Sequence, residues 1–163
     1  MNGKVIKISH CEKLLGIVFQ DDLKWNTQVK QTILKSSKRL FYLRLLKLAG
    51  ASPQQLWKVY NARIRSVLSY AFPATCNMPA YLLNDLLQIE TRALKIIGQP
   101  CNVNLTTHLN NTCVKLMSKI EKNCNHRLHS MFVEHERGRT SLAAPAARTS
   151  RLTNSFIKYA HLL

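Results

Sequence analysis

At 163 residues, with 46% hydrophobic and 20% charged residues, the chain is long enough for one domain with a real core and too apolar to be disordered throughout. Its 24 Lys+Arg against 8 Asp+Glu give a formal net charge of +16, which points first to a polyanionic partner, with an anionic membrane surface or a fragment whose acidic complement lies elsewhere as alternatives. No run approaches the roughly 18 apolar residues of a membrane span and no signal-peptide apolar region opens the chain, so an intracellular protein, nuclear or cytoplasmic and without a membrane partner, is expected.

Five cysteines, an odd number at irregular spacing, fit reduced thiols rather than a secreted disulfide framework. Two short runs rich in Val, Ile and Leu, 4–9 and 13–20, stand either side of His10-Cys11-Glu12 and predict a β-hairpin or two adjacent strands within residues 1–25. Asp21-Asp22 makes the turn that follows. Asp22 or Asn26 can cap a long helix over 26–48, with Val29, Ile33, Ser37, Leu40 and Arg44 down one face and Gln31, Lys35, Lys38, Arg39 and Tyr42 opposite. Gly50 supplies its C-terminal left-handed residue.

Ser52, Pro53 and Gln55 have the spacing of a capping box with proline at the first helical position. They open a second helix over 53–70 with an apolar stripe of Leu56, Tyr60, Ile64, Val67 and Ala71. Arg63 falls inside that stripe and there needs a carboxylate such as Glu90 or Asp85. Arg65 then faces outward, although the two arginines could exchange roles. Phe72-Pro73 is expected to end this helix, and a third is predicted over 79–97, with Leu82, Leu86, Ile89, Ala93 and Ile96 inward and Gly98 as its stop. Together the three make a bundle over 26–98.

Residues 99–111, rich in Asn and Thr, read as a connection. A fourth helical pattern over 112–134, carrying Cys113, Leu116, Met117, Ile120, Cys124 and Leu128, then forms a C-terminal extension, 99–137. "RTSLAAPAARTSRLTNS" is small, polar and basic, so residues 138–163 are expected to be a flexible basic tail. The fold class is therefore mainly α: a short N-terminal β-hairpin, an amphipathic helical bundle and a basic arm.

Phe19-Gln20-Asp21-Asp22 spells F-x-D-D, the metal-binding pattern of reverse transcriptases. Two-metal catalysis needs a further carboxylate from a separate strand, and the only acid preceding Asp21 is Glu12, at the hairpin itself. Asp21-Asp22 is thus expected to be a turn at a helix N-terminus, not a catalytic pair. No phosphate-binding glycine loop or H-E-x-x-H site is present, and the Cys and His residues from His108 to His135 show no C-x₂-C or H-x₃-H pair. Cys113, Met117, Ile120 and Cys124 read as a core stripe, and Trp25 and Trp57 as core anchors.

Several motifs then stand in a fixed order: "KLLGIVFQDDLKW", "LRLLKLAG", "YNARIRSVLSY" and "ETRALKIIG". Over 13–98 this series resembles the region that follows the catalytic palm in reverse transcriptases of non-LTR, LINE-type (jockey-like) retrotransposons, with a weaker likeness at "RTSRL". The resemblance implies that Leu14, Leu15 and Gly16 match the primer grip and that the helices after them match the thumb, which rests on an RNA–DNA or DNA template-primer duplex. It also implies no catalytic residue and no cofactor in these residues, because the palm with its Mg²⁺ aspartates, and the fingers, would lie upstream of Lys13. Ser69, where many relatives carry Glu, and Cys76, where Trp is frequent, depart from the pattern. On this reading Lys30, Lys35, Lys38, Arg39, Arg44 and Arg65 neutralise phosphates, whereas the alternative is a solvated helix face in a non-binding relic or helical interaction module.

Overall fold

In a computed structural model that describes residues 9–98 and 104–129, Leu15 and Gly16 set the first turn. They join β1 (Cys11–Leu14) to β2 (Ile17–Gln20), antiparallel with Leu14 opposite Ile17 and Cys11 opposite Gln20. The turn lies inside the run 13–20 that reads as a single strand, and Cys11 and Glu12 belong to a strand instead of a connection. Leu15 at φ 49° and Gly16 at φ 84° are both left-handed, the two-residue form whose twist matches the flanking strands. Residues 1–8, which hold most of the other expected strand, lie outside the described residues.

The hairpin is fastened to helix α1 (Asn26–Leu48) by two glutamines. The Val18 N–H donates to Oε1 of buried Gln28 at 2.9 Å, and the Thr27 N–H donates to Oε1 of Gln20 at 3.0 Å. Gln20 thereby serves the helix start where Asp22 or Asn26 is expected to cap it; Trp25 holds the cap position, and its side chain makes no capping bond. Val29, Ser36, Leu40 and Leu43 are buried and Ile33 half-buried, a spacing of 4, 3, 4 and 3. The expected inward Ser37 and Arg44 are displaced by this 3.5-residue repeat, which suits two long helices running beside one another; α5 is α1's partner.

The capping box forms as predicted. Ser52 Oγ accepts the Gln55 N–H at 3.3 Å and Gln55 Oε1 accepts the Ser52 N–H at 2.9 Å, opening α2 (Pro53–Val59). The chain then winds as a π-helix over Tyr60–Arg65 and returns to α-helix in α3 (Ser66–Leu68). Ala71, at φ 58°, redirects it into the short α4 (Phe72–Thr75). Pro73 therefore begins a helix instead of ending one, in the first turn, where its missing N–H is not needed. Helix α5 (Ala80–Ile97) runs to Gly98 at φ 79°, as expected.

Helix α6 (Leu105–Lys122) starts seven residues before the predicted point and ends well short of 134. Asn104 caps it, its Oδ1 accepting the Thr107 N–H at 2.8 Å. Leu105, Leu109, Cys113, Met117 and Ile120 are its buried face. They join Trp25, Leu43, Leu56, Tyr60, Ile64, Leu86, Ile89 and Ala93 in one hydrophobic cluster. Cys124 is exposed beyond the helix end and is not part of the core stripe. Residues 130–163, with the expected tail, lie outside the described residues. Among the described residues no helix is long and apolar enough to cross a membrane.

Candidate nucleic-acid interface

The π-helical turn decides which arginine faces the core. Each π turn takes one more residue than an α turn, so beyond Tyr60 the buried positions slip along the sequence. Ile64, Arg65 and Leu68 are buried, while Arg63 is exposed and Val67 only half-buried. The expected roles of Arg63 and Arg65 are thus reversed. Arg65 donates from Nη1 to Asn61 Oδ1 at 3.3 Å and from Nη2 to the Asn104 carbonyl at 3.0 Å, tying the second helical segment to the start of α6. Its place is structural, and it is not presented to a phosphate.

Glu90 is buried, as its expected structural role requires, but Arg63 is not its partner. Its Oε1 accepts the Tyr60 hydroxyl at 3.2 Å and its Oε2 accepts the Leu105 N–H at 2.9 Å. A carboxylate at the first residue of α6 also suits the positive end of that helix. Trp25 is buried, lies edge-to-face on Phe19 at 5.7 Å and donates from Nε1 to Asn77 Oδ1 at 2.6 Å. Trp57 is half-buried and stacks on Tyr60 at 5.2 Å. Both tryptophans pack within the fold.

The cations of α1 divide between two faces. Lys35 and Arg39 look toward the second helical segment and line two clefts that meet at Arg39. One, of about 340 Å³, runs from Gly16 and Tyr70 past Lys35 and Ser66. The other, of about 680 Å³, is walled by Leu46, Val59, Ala62 and the Tyr42 ring, with Lys58, Arg39 and Arg63 around it. Arg39 Nη1 donates to the Arg63 carbonyl across the groove. Among the described residues no acidic side chain lines either cleft. Lys30, Lys38 and Arg44 are exposed but point elsewhere on α1.

The hairpin turn closes one end of this groove. Tyr70 donates its hydroxyl to the Leu15 carbonyl at 2.6 Å, and a Cβ on Gly16 would lie in van der Waals contact with that hydroxyl oxygen at 3.5 Å and with ring Cε1 at 3.6 Å. A side chain at Gly16 would therefore meet the tyrosine as well as the left-handed backbone. Leu14 and Leu15 are 61% and 83% exposed, so the turn presents two leucines beside a cationic channel. Lys58 and Tyr70 were not singled out from the sequence as groove residues. Tyr70 belongs to a quoted motif, whereas Lys58 carries no local sign that α2 turns it toward α1.

Asp21 and Asp22 form a turn, as expected. Asp21 Oδ2 pairs with His10 Nδ1 at 2.7 Å and its Oδ1 accepts the Asp22 N–H, while Asp22 Oδ1 accepts the Lys24 N–H at 2.9 Å. The hydrogen bond to Asp21 holds the His10 imidazole above its ordinary value and the Asp21 carboxyl below its own. Among the described residues no three His, Cys, Asp or Glu side chains are grouped to hold a metal. His108 titrates below the usual imidazole range, first through burial and then through nearby Arg65 and Lys115.

Comparison of the chain with protein-family models, curated proteins and solved structures returns no match.

Proposed function

We propose that the groove between α1 and the second helical segment binds the phosphate backbone of an RNA–DNA or DNA duplex without base specificity. On this reading the chain is the primer-grip and thumb region of a LINE-type reverse transcriptase whose palm, fingers and Mg²⁺ belong to the parent polymerase. The observation that carries the reading is the meeting of the Leu15-Gly16 turn with a channel bearing Lys35, Arg39, Lys58 and Arg63 and, among the described residues, no acidic side chain. The ordered series of motifs over 13–98 supports the family assignment. Such a chain does no chemistry; it holds the primer end in place, which slows duplex release and aids reaction by positioning.

Fluorescence anisotropy with a labelled heteroduplex, repeated over a range of salt, tests this. Each phosphate neutralised contributes about 0.9 to the slope of log K against log salt. The Lys58→Ala, Arg63→Ala double variant is therefore expected to weaken binding and flatten the slope by about 2. Lys47→Ala, on a residue that lines neither cleft, leaves it nearly unchanged. Salt-insensitive or absent binding, or equal losses in both variants, would overturn the proposal.

A further inference from the structure

Helix α1 carries a second periodic face, turned away from the core and away from the groove. Leu34, Lys38, Phe41, Leu45 and Leu48 follow at spacings of 4, 3, 4 and 3. The four apolar members are 63%, 57%, 45% and 84% exposed in that order. At 1.5 Å per residue the seam is about 21 Å long, and its midline lies roughly 120° round the helix from Lys35 and Arg39. Scattered exposed leucines need no explanation, but a continuous stripe of this length on one helix does. A sugar-phosphate backbone would leave it uncovered.

We propose that this seam docks one acidic amphipathic helix of another polypeptide. The alternation of 4 and 3 is the a/d seam of a coiled-coil helix, with Lys38 and Leu45 at a and Leu34, Phe41 and Leu48 at d. In that register Lys30 and Arg44 hold g positions, Lys38 stands in the seam itself, and α1 contains no acidic residue. The charges that choose a coiled-coil partner sit at e and g, so the match is a helix with leucines at its own a and d and glutamates beside them. A second copy of the chain fits poorly. It would set Lys38 and the flanking cations against their own kind and bring another +16 of charge. The chain's own C-terminal part is no better matched, with five basic residues against two acidic ones over 130–163.

The proposal stands apart from duplex binding and is tested on the full chain with two synthetic helical peptides of about three heptads. Both have Leu at a and d; one has Glu at e and g, the other Lys. The Glu peptide is expected to bind at least about tenfold more tightly than the Lys peptide at physiological salt. Leu45→Ser with Leu48→Ser, both at exposed positions that line neither cleft, should abolish that binding while the far-UV circular dichroism and heteroduplex affinity stay as they were. Equal binding of the two peptides, no binding of either, or binding that survives the double variant would overturn it. So would displacement of the Glu peptide by heteroduplex, or a dimer in sedimentation that the double variant dissolves, which would make a second copy the occupant.

Discussion

Leu15 sits in the left-handed region at φ 49° and is 83% exposed, a place where an unbranched polar residue or glycine costs least. Left-handed backbone costs a residue with a Cβ about 1–2 kcal/mol, and Asn-Gly is the favoured pair for this two-residue turn. Leu15→Asn is therefore expected to stabilise the hairpin by about 0.5–1 kcal/mol, read as a higher urea midpoint. If the turn abuts the duplex, as the groove reading requires, the same variant loses heteroduplex affinity although the fold has gained. Unchanged affinity would separate the turn from the binding surface. Residue type made this turn partly legible, since Gly16 interrupts an otherwise strand-like run; the partner that anchors it, Tyr70, is 55 positions away in the chain and no local pattern points to it. Glu90 shows the same limit. The sequence offers it only as a carboxylate for Arg63, whereas its partners, the Tyr60 hydroxyl and the Leu105 N–H, depend on how three helices meet.

Among the elements, caps and stops were the most legible features because their chemistry is local. Ser52 with Gln55, Gly50 and Gly98 act within a turn of their own positions, and the structure has each where the sequence places it. The second helix failed where a local rule was broken: a π turn over Tyr60–Arg65 has no sign in residue periodicity, and it exchanges the burial of Arg63 and Arg65. The start of α6 failed for a different reason. "NLTTHLNNT" looks like a polar connection by composition, yet Leu105, Leu109 and Cys113 keep a spacing of four, and Asn104 is a favoured cap. Replacing that cap tests its weight. Asn104→Ala removes the acceptor for the Thr107 N–H but keeps the backbone carbonyl that Arg65 uses, so a loss of about 1 kcal/mol in urea unfolding is expected. No change in midpoint would show that α6 is held by its buried face alone.

For the molecule as a whole, the sequence suggests a boundary near residue 98, while the buried face of α6 shares one cluster with α1, α2 and α5. Two cysteines can report whether these parts unfold together. Cys76, beside α4, and Cys113, in the middle of α6, are both buried. Burial pushes the Cys76 thiol up to about 11 and the Cys113 thiol up to about 12, so near neutral pH neither forms the reactive thiolate to any useful degree. Cys11 and Cys124 are exposed and serve as internal controls. With a thiol reagent and site-resolved mass spectrometry, Cys11 and Cys124 should label in the native state. Cys76 and Cys113 should label only through unfolding, at a single urea midpoint that coincides with the loss of helical circular dichroism, as a cooperative unit requires. Labelling of Cys113 at a lower urea concentration than Cys76 would mean that α6 opens first and that a boundary near 98 is real in energetic terms. Coincident midpoints would mean that a hydrophobic cluster spanning the 99–103 connection binds the hairpin-bearing bundle and α6 into one folding unit.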